Sequence, residues 1–331
     1  MRFSRSLFSW FLLGVLASWV SAEPSCIQED GYKYRRYICT GFESPEDFKS
    51  HIQLEHSSKE TWFLLLDSHL KHISPESFAG LNVSVLIWSN VTVDGFDESS
   101  PKASPFAGLE NSVKKMVFRR QSSVPLDWSM LKDMNKLEEL HLQGFLDLNL
   151  TKDFGQLPPS LKVLFIFDAS INHVDPDWLA SLTNLEALIV RVTNLNSLKR
   201  SMLPRPAPKL ATLDLAENHL TAFPEGLGED LPALRFVNVE DNRITTLEEK
   251  DIAPLHRDSV LVRMIGNPMH CDCKLWFLLD YTDRWHYFLC RSPEPHFNSY
   301  IKMLTEADLP CVDNPPATTQ AAPGDPSSAS P

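Results

Sequence analysis

The sequence predicts an α/β solenoid, a horseshoe of stacked repeats with a parallel sheet along its concave face and a cysteine-rich cap at each end. Two observations predict it. An apolar pattern recurs about every 24 residues through most of the chain. All six cysteines lie outside that stretch, Cys26 and Cys39 before it and Cys271, Cys273, Cys290 and Cys311 after it.

Residues 1–22 read as a secretory leader. Arg2 and Arg5 give a positive start, Phe11 to Trp19 a short apolar run, and Val20-Ser21-Ala22 a small-residue cleavage site. The run falls short of the roughly 20 apolar residues that a bilayer crossing needs, so the expected product is secreted, extracellular and without a membrane span. Residues 23–59 form an N-terminal cap and entry segment, 60–267 the repeats, 268–311 a C-terminal cap and 312–331 a tail. From Asn314 on, that tail is almost wholly Pro, Ala, Ser, Thr and Gly with one charged residue, Asp325. Such a composition cannot bury a core and is expected to be disordered.

The repeat is clearest in Leu161-x-x-Leu164-x-Ile166, Leu185-x-x-Leu188-x-Val190, Leu210-x-x-Leu213-x-Leu215 and Leu234-x-x-Val237-x-Val239. Each continues to an apolar residue five positions on, at Ile171, Leu195, Leu220 and Ile244. Looser copies start at Glu60, Val83, Val113, Leu137 and Ser259, giving nine units. The pattern LxxLxLxxNxL closely resembles the extracellular leucine-rich-repeat family. Its alternating residues describe a short strand with one side in the core and the other on the concave surface. A single unit cannot bury its apolar side, whereas a stack shares one continuous core. The family's turn asparagine appears as Asn218, Asn242 and Asn267. Earlier units place Ser68, Val91, Gln121, Phe145, Ala169 and Thr193 there, so other groups must satisfy the turn backbone, and a less regular N-terminal half is expected.

The caps cover the core side chains and strand edges that the end units expose. Cys271-Asp272-Cys273, Cys290 and Cys311 follow Gly266-Asn267-Pro268 and look like the family's C-terminal flanking cap. Spacing alone permits three connectivities for four cysteines. The resemblance implies Cys271 with Cys290 and Cys273 with Cys311. Cys26 would pair with Cys39 in an N-terminal cap, followed by an edge strand around Tyr37 to Phe42. A zinc site from His270, Cys271, Cys273 and Cys290 is the rival reading, which an oxidising destination disfavours. His51, His56, His69 and His72 straddle different segments and are read as surface side chains, not metal ligands.

The chain carries 31 basic against 43 acidic residues, a net charge of −12, which argues against nucleic acid or an anionic membrane as partner. No nucleophile motif, phosphate loop or paired metal-ligand spacing occurs. The reading is therefore of a non-enzyme with no cofactor and no metal. Asn82-Val-Ser, Asn90-Val-Thr and Asn149-Leu-Thr are glycosylation sequons. A glycan on Asn90, two positions after Trp88, would crowd the N-terminal end of the concave face.

Aligned repeats form ladders across that face. Lys114, Glu138, Lys162 and Glu186 alternate in charge, most simply as mutual satisfaction between neighbouring units. The outward mid-strand position reads Leu64, Ile87, Val117, His141, Phe165, Ile189, then Asp214, Asn238 and Arg263. With Val163, Phe167 and Val192 also outward and Arg191 at the flank, the candidate binding patch is Val163, Phe165, Phe167, Ile189, Arg191 and Val192. Strand propensity alone would explain valine and isoleucine, though less readily two outward phenylalanines in one unit. Asp214, Glu217, Glu240 and Asp241 make an acidic region beyond it. The expected function is recognition of an extracellular protein through the concave sheet, of the adhesion, matrix or innate-recognition type. A fainter resemblance, to the non-catalytic leucine-rich-repeat subunit of a crustacean luciferase and its arthropod relatives, implies the alternative of an accessory subunit of a secreted enzyme.

Overall fold

The computed structural model describes residues 23–52, 59–74, 77–78, 82–96, 106–125, 127–228, 230–282, 285, 287–309 and 311. The leader, the tail, His56 and both ends of the Pro75 to Leu81 return lie outside the described residues.

Eleven strands form one sheet in strict chain order, β1 (Ser25–Asp30), β2 (Tyr34–Thr40), β3 (Glu60–Ile73), β4 (Val83–Phe96), β5 (Lys115–Arg119), β6 (Glu139–Leu150), β7 (Val163–Val174), β8 (Ala187–Thr193), β9 (Thr212–Asp214), β10 (Phe236–Asn238) and β11 (Leu261–Arg263). β1 and β2 form an antiparallel hairpin with Cys26 opposite Cys39, and those two cysteines are joined. Every later pairing is parallel. The nine strands from β3 onward each belong to one repeat unit. The strand expected at the N-terminal edge over Tyr37 to Phe42 is β2, which begins at Tyr34 and ends at Thr40 and is not the edge, because β1 pairs along its outer side.

The inward row runs Phe63, Leu86, Met116, Leu140, Leu164, Leu188, Leu213, Val237 and Val262, none more than 6% exposed. Neighbouring strands sit about 4.8 Å apart, so these side chains stack into the shared core that the periodicity predicts. The convex returns among the described residues are mostly short 3-10 turns, such as Lys152–Gln156 and Arg200–Met202. Among the described residues α-helix is limited to α1 (Pro45–His51) and α2 (Glu249–Ile252). Inside the returns Trp128, Phe154 and Trp178 pack ring to ring at 4.9 and 5.4 Å.

Both halves must satisfy the backbone where each strand leaves the concave face, and they do it differently. In the C-terminal units the asparagine ladder does so. Asn242 is 6% exposed; its Oδ1 accepts from the Leu220 N–H while its Nδ2 donates to the carbonyls of Leu215, Val239 and Glu240. Asn267 repeats the arrangement, accepting from the Ile244 N–H and donating to the Val239 and Met264 carbonyls, whereas Asn218 donates to the Val190 and Leu215 carbonyls but accepts from the Thr193 hydroxyl, which itself accepts from the Leu195 N–H. In the N-terminal units the strands carry on around the corner. β3 and β4 are 14 residues long and pair through Ser68 with Val91 to Ile73 with Phe96. β6 and β7 continue likewise through Phe145 with Ala169 to Leu150 with Val174. A second leg of sheet thus replaces the side-chain ladder, making this half richer in regular backbone pairing than the sequence suggests.

Hydroxyl groups help at two of the N-terminal corners. Ser68 Oγ accepts from the Phe42 N–H and donates to the Leu66 carbonyl. In β5's unit the position expected for Gln121 belongs to Ser122. Arg120 and Gln121 both take left-handed backbone and Gln121 is exposed, while buried Ser122 accepts from the Val91 N–H and donates to the Arg119 carbonyl. The extra turn residue explains the misplacement, since uniform spacing cannot show a local insertion.

At the C-terminal end, disulfides join Cys271 to Cys290 and Cys273 to Cys311. β12 (Met269–His270) pairs with β13 (Cys290–Ser292) beneath the last repeat. Trp285 and Phe288 are buried there, 2% and 1% exposed. His270 lies beside Ser292, its Nδ1 and the hydroxyl 2.7 Å apart.

Candidate protein-binding face

Strand alternation sends Val163, Phe165 and Phe167 of β7 out of the concave face. The parallel register sets Val163 between Glu139 and Ala187, Phe165 between His141 and Ile189, and Phe167 between Gln143 and Arg191. Phe165 stacks on the His141 ring at 4.8 Å and on Phe167 at 5.9 Å. Phe167 is 36% exposed. The mid-strand row continues toward the N-terminus through Val117, Ile87, Leu64 and Ile38, each paired to the next, so the aromatic patch ends a longer apolar track.

Two of the six candidate residues have more to do than face solvent. Arg191 donates to Glu217 and stands 3.9 Å from Asp214, so it bridges the apolar patch to the acidic region. Val192 has a φ of 54°. It occupies the strand exit next to Arg191, at the rim of the face and not within the outward row. The same exit takes left-handed backbone at Asp67, Asn90, Asp168, Glu217 and Asp241, and glycine at Gly144 and Gly266. Asp, Asn and Gly tolerate this conformation, whereas a β-branched residue there is strained.

The acidic region is partly neutralised, since Arg263 lies 3.2 Å from Glu240 and Arg191 serves Glu217. In the charge ladder Lys162 meets Glu138 at 2.9 Å, but Lys114 reaches Glu60 instead, at 3.0 Å. Its own neighbour Glu138 is occupied by Lys162.

Alternation alone did not reveal the polar cluster beside Phe165. Glu139 Oε2 lies 2.7 Å from Lys115 Nζ and 3.0 Å from His141 Nε2. Burial raises the Glu139 carboxyl, but Lys115, through its hydrogen bond and charge, more than offsets this and leaves it below the ordinary range. Burial, followed by the Lys115 charge, lowers the His141 imidazole below its usual value, and the Glu139 carboxylate compensates only in part. Leu146, exposed at 68%, sits in a bulge of β6 between Phe145 and Leu148; period-two counting has no means of finding it. Among the described residues no group of three or more His, Cys, Asp or Glu side chains is placed to hold a metal ion.

No family model matches the chain. Among curated proteins, leucine-rich repeat and fibronectin type-III domain-containing protein 4 of Rattus norvegicus is 28% identical over 136 residues, 39% of this chain and 21% of that protein. Nine in-register repeat strands, a buried turn-asparagine ladder and disulfides at both ends define the architecture. The chain is a capped leucine-rich-repeat solenoid. The chain is also 26% identical over 134 residues to the Oplophorus-luciferin 2-monooxygenase non-catalytic subunit of Oplophorus gracilirostris, 40% of this chain and 37% of that subunit. The chain thus spans well under two thirds of either relative. The crystal structure of human 5T4 (Wnt-activated inhibitory factor 1, trophoblast glycoprotein) superposes with a TM-score of 0.50 and 17% identity, covering 86% of this chain and 97% of that one. At that identity the likeness extends to the leucine-rich-repeat fold alone.

Proposed function

We propose that this leucine-rich-repeat chain is an extracellular, non-catalytic recognition protein that holds a protein partner on its concave sheet at Val163, Phe165, Phe167, Ile189, Arg191 and Val192. The observation that carries the reading is the stacked pair Phe165 and Phe167 at the centre of an open sheet, with Phe167 more than a third exposed. Aromatic side chains bearing on solvent beside an arginine are the usual anchors of protein interfaces. Asn82, Asn90 and Asn149 are exposed, which suits them as glycan carriers, and Asn90 at a strand exit leaves the β7 and β8 region clear. Among the described residues no helix is long and apolar enough to cross a membrane.

A second reading has its own support. The matched Oplophorus protein is named as the non-catalytic subunit of a monooxygenase, so an enzyme partner is the alternative occupant of the same face. An affinity capture from extracellular fluid of the source organism, comparing wild type with folded Phe165→Ser/Phe167→Ser, tests both. A partner retained by the wild type and lost by the variant supports the concave site, and that partner's activity distinguishes the two readings. Equal retention by both proteins removes the site.

A further inference from the structure

Beyond the concave face, the described residues hold a second concentration of exposed apolar surface. Of eleven large apolar side chains that stand exposed, seven lie between Leu261 and Met303, in the last repeat and the C-terminal cap. Soluble proteins seldom gather such side chains in one place without a use for them.

Four of them, Leu261, Ile265, Tyr287 and Tyr300, line two adjoining clefts beside a strand edge. β11 ends the eleven-stranded sheet. Its Leu261 N–H donates to Arg235 and its Arg263 carbonyl accepts from Val239, so these groups face β10. Backbone direction alternates along a strand, which turns the N–H groups of Val262 and Met264 to the outer side. A cleft of about 240 Å³ runs along this strand, lined by residues 261–265 and, from the cap, by Trp285 and Tyr287. Ile265 and Tyr287 also line an adjoining cleft that reaches Arg291 and Tyr300. Lys302 holds its ammonium 5.6 Å from the centre of the Tyr287 ring and 5.9 Å from that of Tyr300, and the Arg291 guanidinium lies 5.8 Å from that of Phe297. Neither cation has an ion-pair partner among the described residues, although the chain as a whole is strongly acidic.

We infer that this edge is a second docking site, which takes an extended acidic and apolar segment of a partner protein as an added strand beside β11. The Val262 and Met264 edge supplies backbone pairing, the cleft between Ile265 and Tyr287 receives the apolar side chains, and Arg291 and Lys302 meet the carboxylates. Main-chain bonds give such strand addition its affinity, and alternate side-chain pockets give it selectivity. A second copy of this chain fits less well, because a two-fold contact would bring this cationic patch against itself.

The test uses the full secreted chain and three synthetic eight-residue peptides. One alternates valine or phenylalanine with aspartate, the second replaces every aspartate with lysine, and the third places prolines at alternate positions of the first. Binding is followed by fluorescence anisotropy, and amide hydrogen exchange is read at Val262 and Met264. The expected result is saturable binding of the aspartate peptide, at least tenfold tighter than either control, with both amides protected. Arg291→Glu/Lys302→Glu, both exposed positions, should weaken it by tenfold or more, while Phe167→Ser leaves it unchanged. Absence of binding, equal binding of the lysine or proline peptide, unprotected amides, or loss on Phe167→Ser instead overturns the inference. So does concentration-dependent dimerisation that the aspartate peptide fails to reverse.

Discussion

The two halves of this solenoid solve one physical problem in two ways. Where the chain turns off the concave face it must leave no backbone group both buried and unpaired. From β9 to β11 the strands are three residues long, and buried asparagines bond the turn backbone. From β3 to β7 the backbone mostly bonds to itself around the corner, and the core beneath is aromatic, with Trp88 packed against Phe96, Phe106 and Phe118. The asparagine solution depends on one side chain per repeat, whereas the long-strand solution spreads over many bonds and tolerates Val91, Phe145 or Ala169 at the corner. The candidate binding patch on β7 and β8 lies where one regime gives way to the other.

The largest expected effect is in the N-terminal core. Trp88 is fully buried, and Trp88→Ala should destabilise that half by about 3–5 kcal/mol through the cavity it leaves. Urea denaturation measures this directly, and a loss under 1 kcal/mol would mean that the aromatic core is not what supports the long strands. Next comes the ladder. Asn242→Ala strands the Leu220 N–H and removes the donor shared by three carbonyls, with an expected loss of about 2–3 kcal/mol. The reciprocal change Ala169→Asn should bring no gain, because its corner is already paired. If Ala169→Asn stabilises the chain in the same denaturation assay, the two regimes are not distinct.

At the junction, Val192→Asn should stabilise by about 1 kcal/mol, since asparagine accepts the left-handed exit better than a β-branched residue. The thermal midpoint reports it, and a fall would mean that the Val192 side chain has contacts worth more than the strain.

The smallest effect is that of pH at His141. Its folded-state pKa is depressed, so below about pH 6.5 the unfolded chain binds more protons than the folded one. The stabilisation is complete above that value and is lost as pH falls through the folded pKa. Glu139, lowered as well, adds a loss only further down, below its ordinary carboxylate range. His141→Phe should flatten the stability profile below about pH 6.5, where the depressed imidazole acts, while leaving the lower carboxylate limb in place. An unchanged profile would locate the dependence elsewhere.

Much of this was legible in the sequence because a repeat states its own register. The spacing of Leu164, Leu188 and Leu213 set both the inward row and the outward Phe165 and Ile189. The buried asparagines announced the C-terminal turns. The N-terminal turns were less legible, because continuation of β3 and β4 past the corner is a backbone property that Ser68 and Val91 do not declare. Ser122, Leu146 and Val192 were misread or missed for a related reason. An inserted turn residue, a bulge and a left-handed exit each break the period-two rule that assigns faces. The pairing of Lys114 with Glu60 was hidden because a long side chain can reach past its neighbour.

The most direct test of concave recognition is an isothermal titration of the captured partner, once purified, against wild type and Phe167→Ser, with Tyr32→Ser, an exposed position in the N-terminal hairpin, as a control. At least a tenfold loss of affinity for Phe167→Ser, with Tyr32→Ser near wild type, is the predicted result. Unchanged affinity in a folded Phe167→Ser protein would contradict the proposal that β7 carries the binding face.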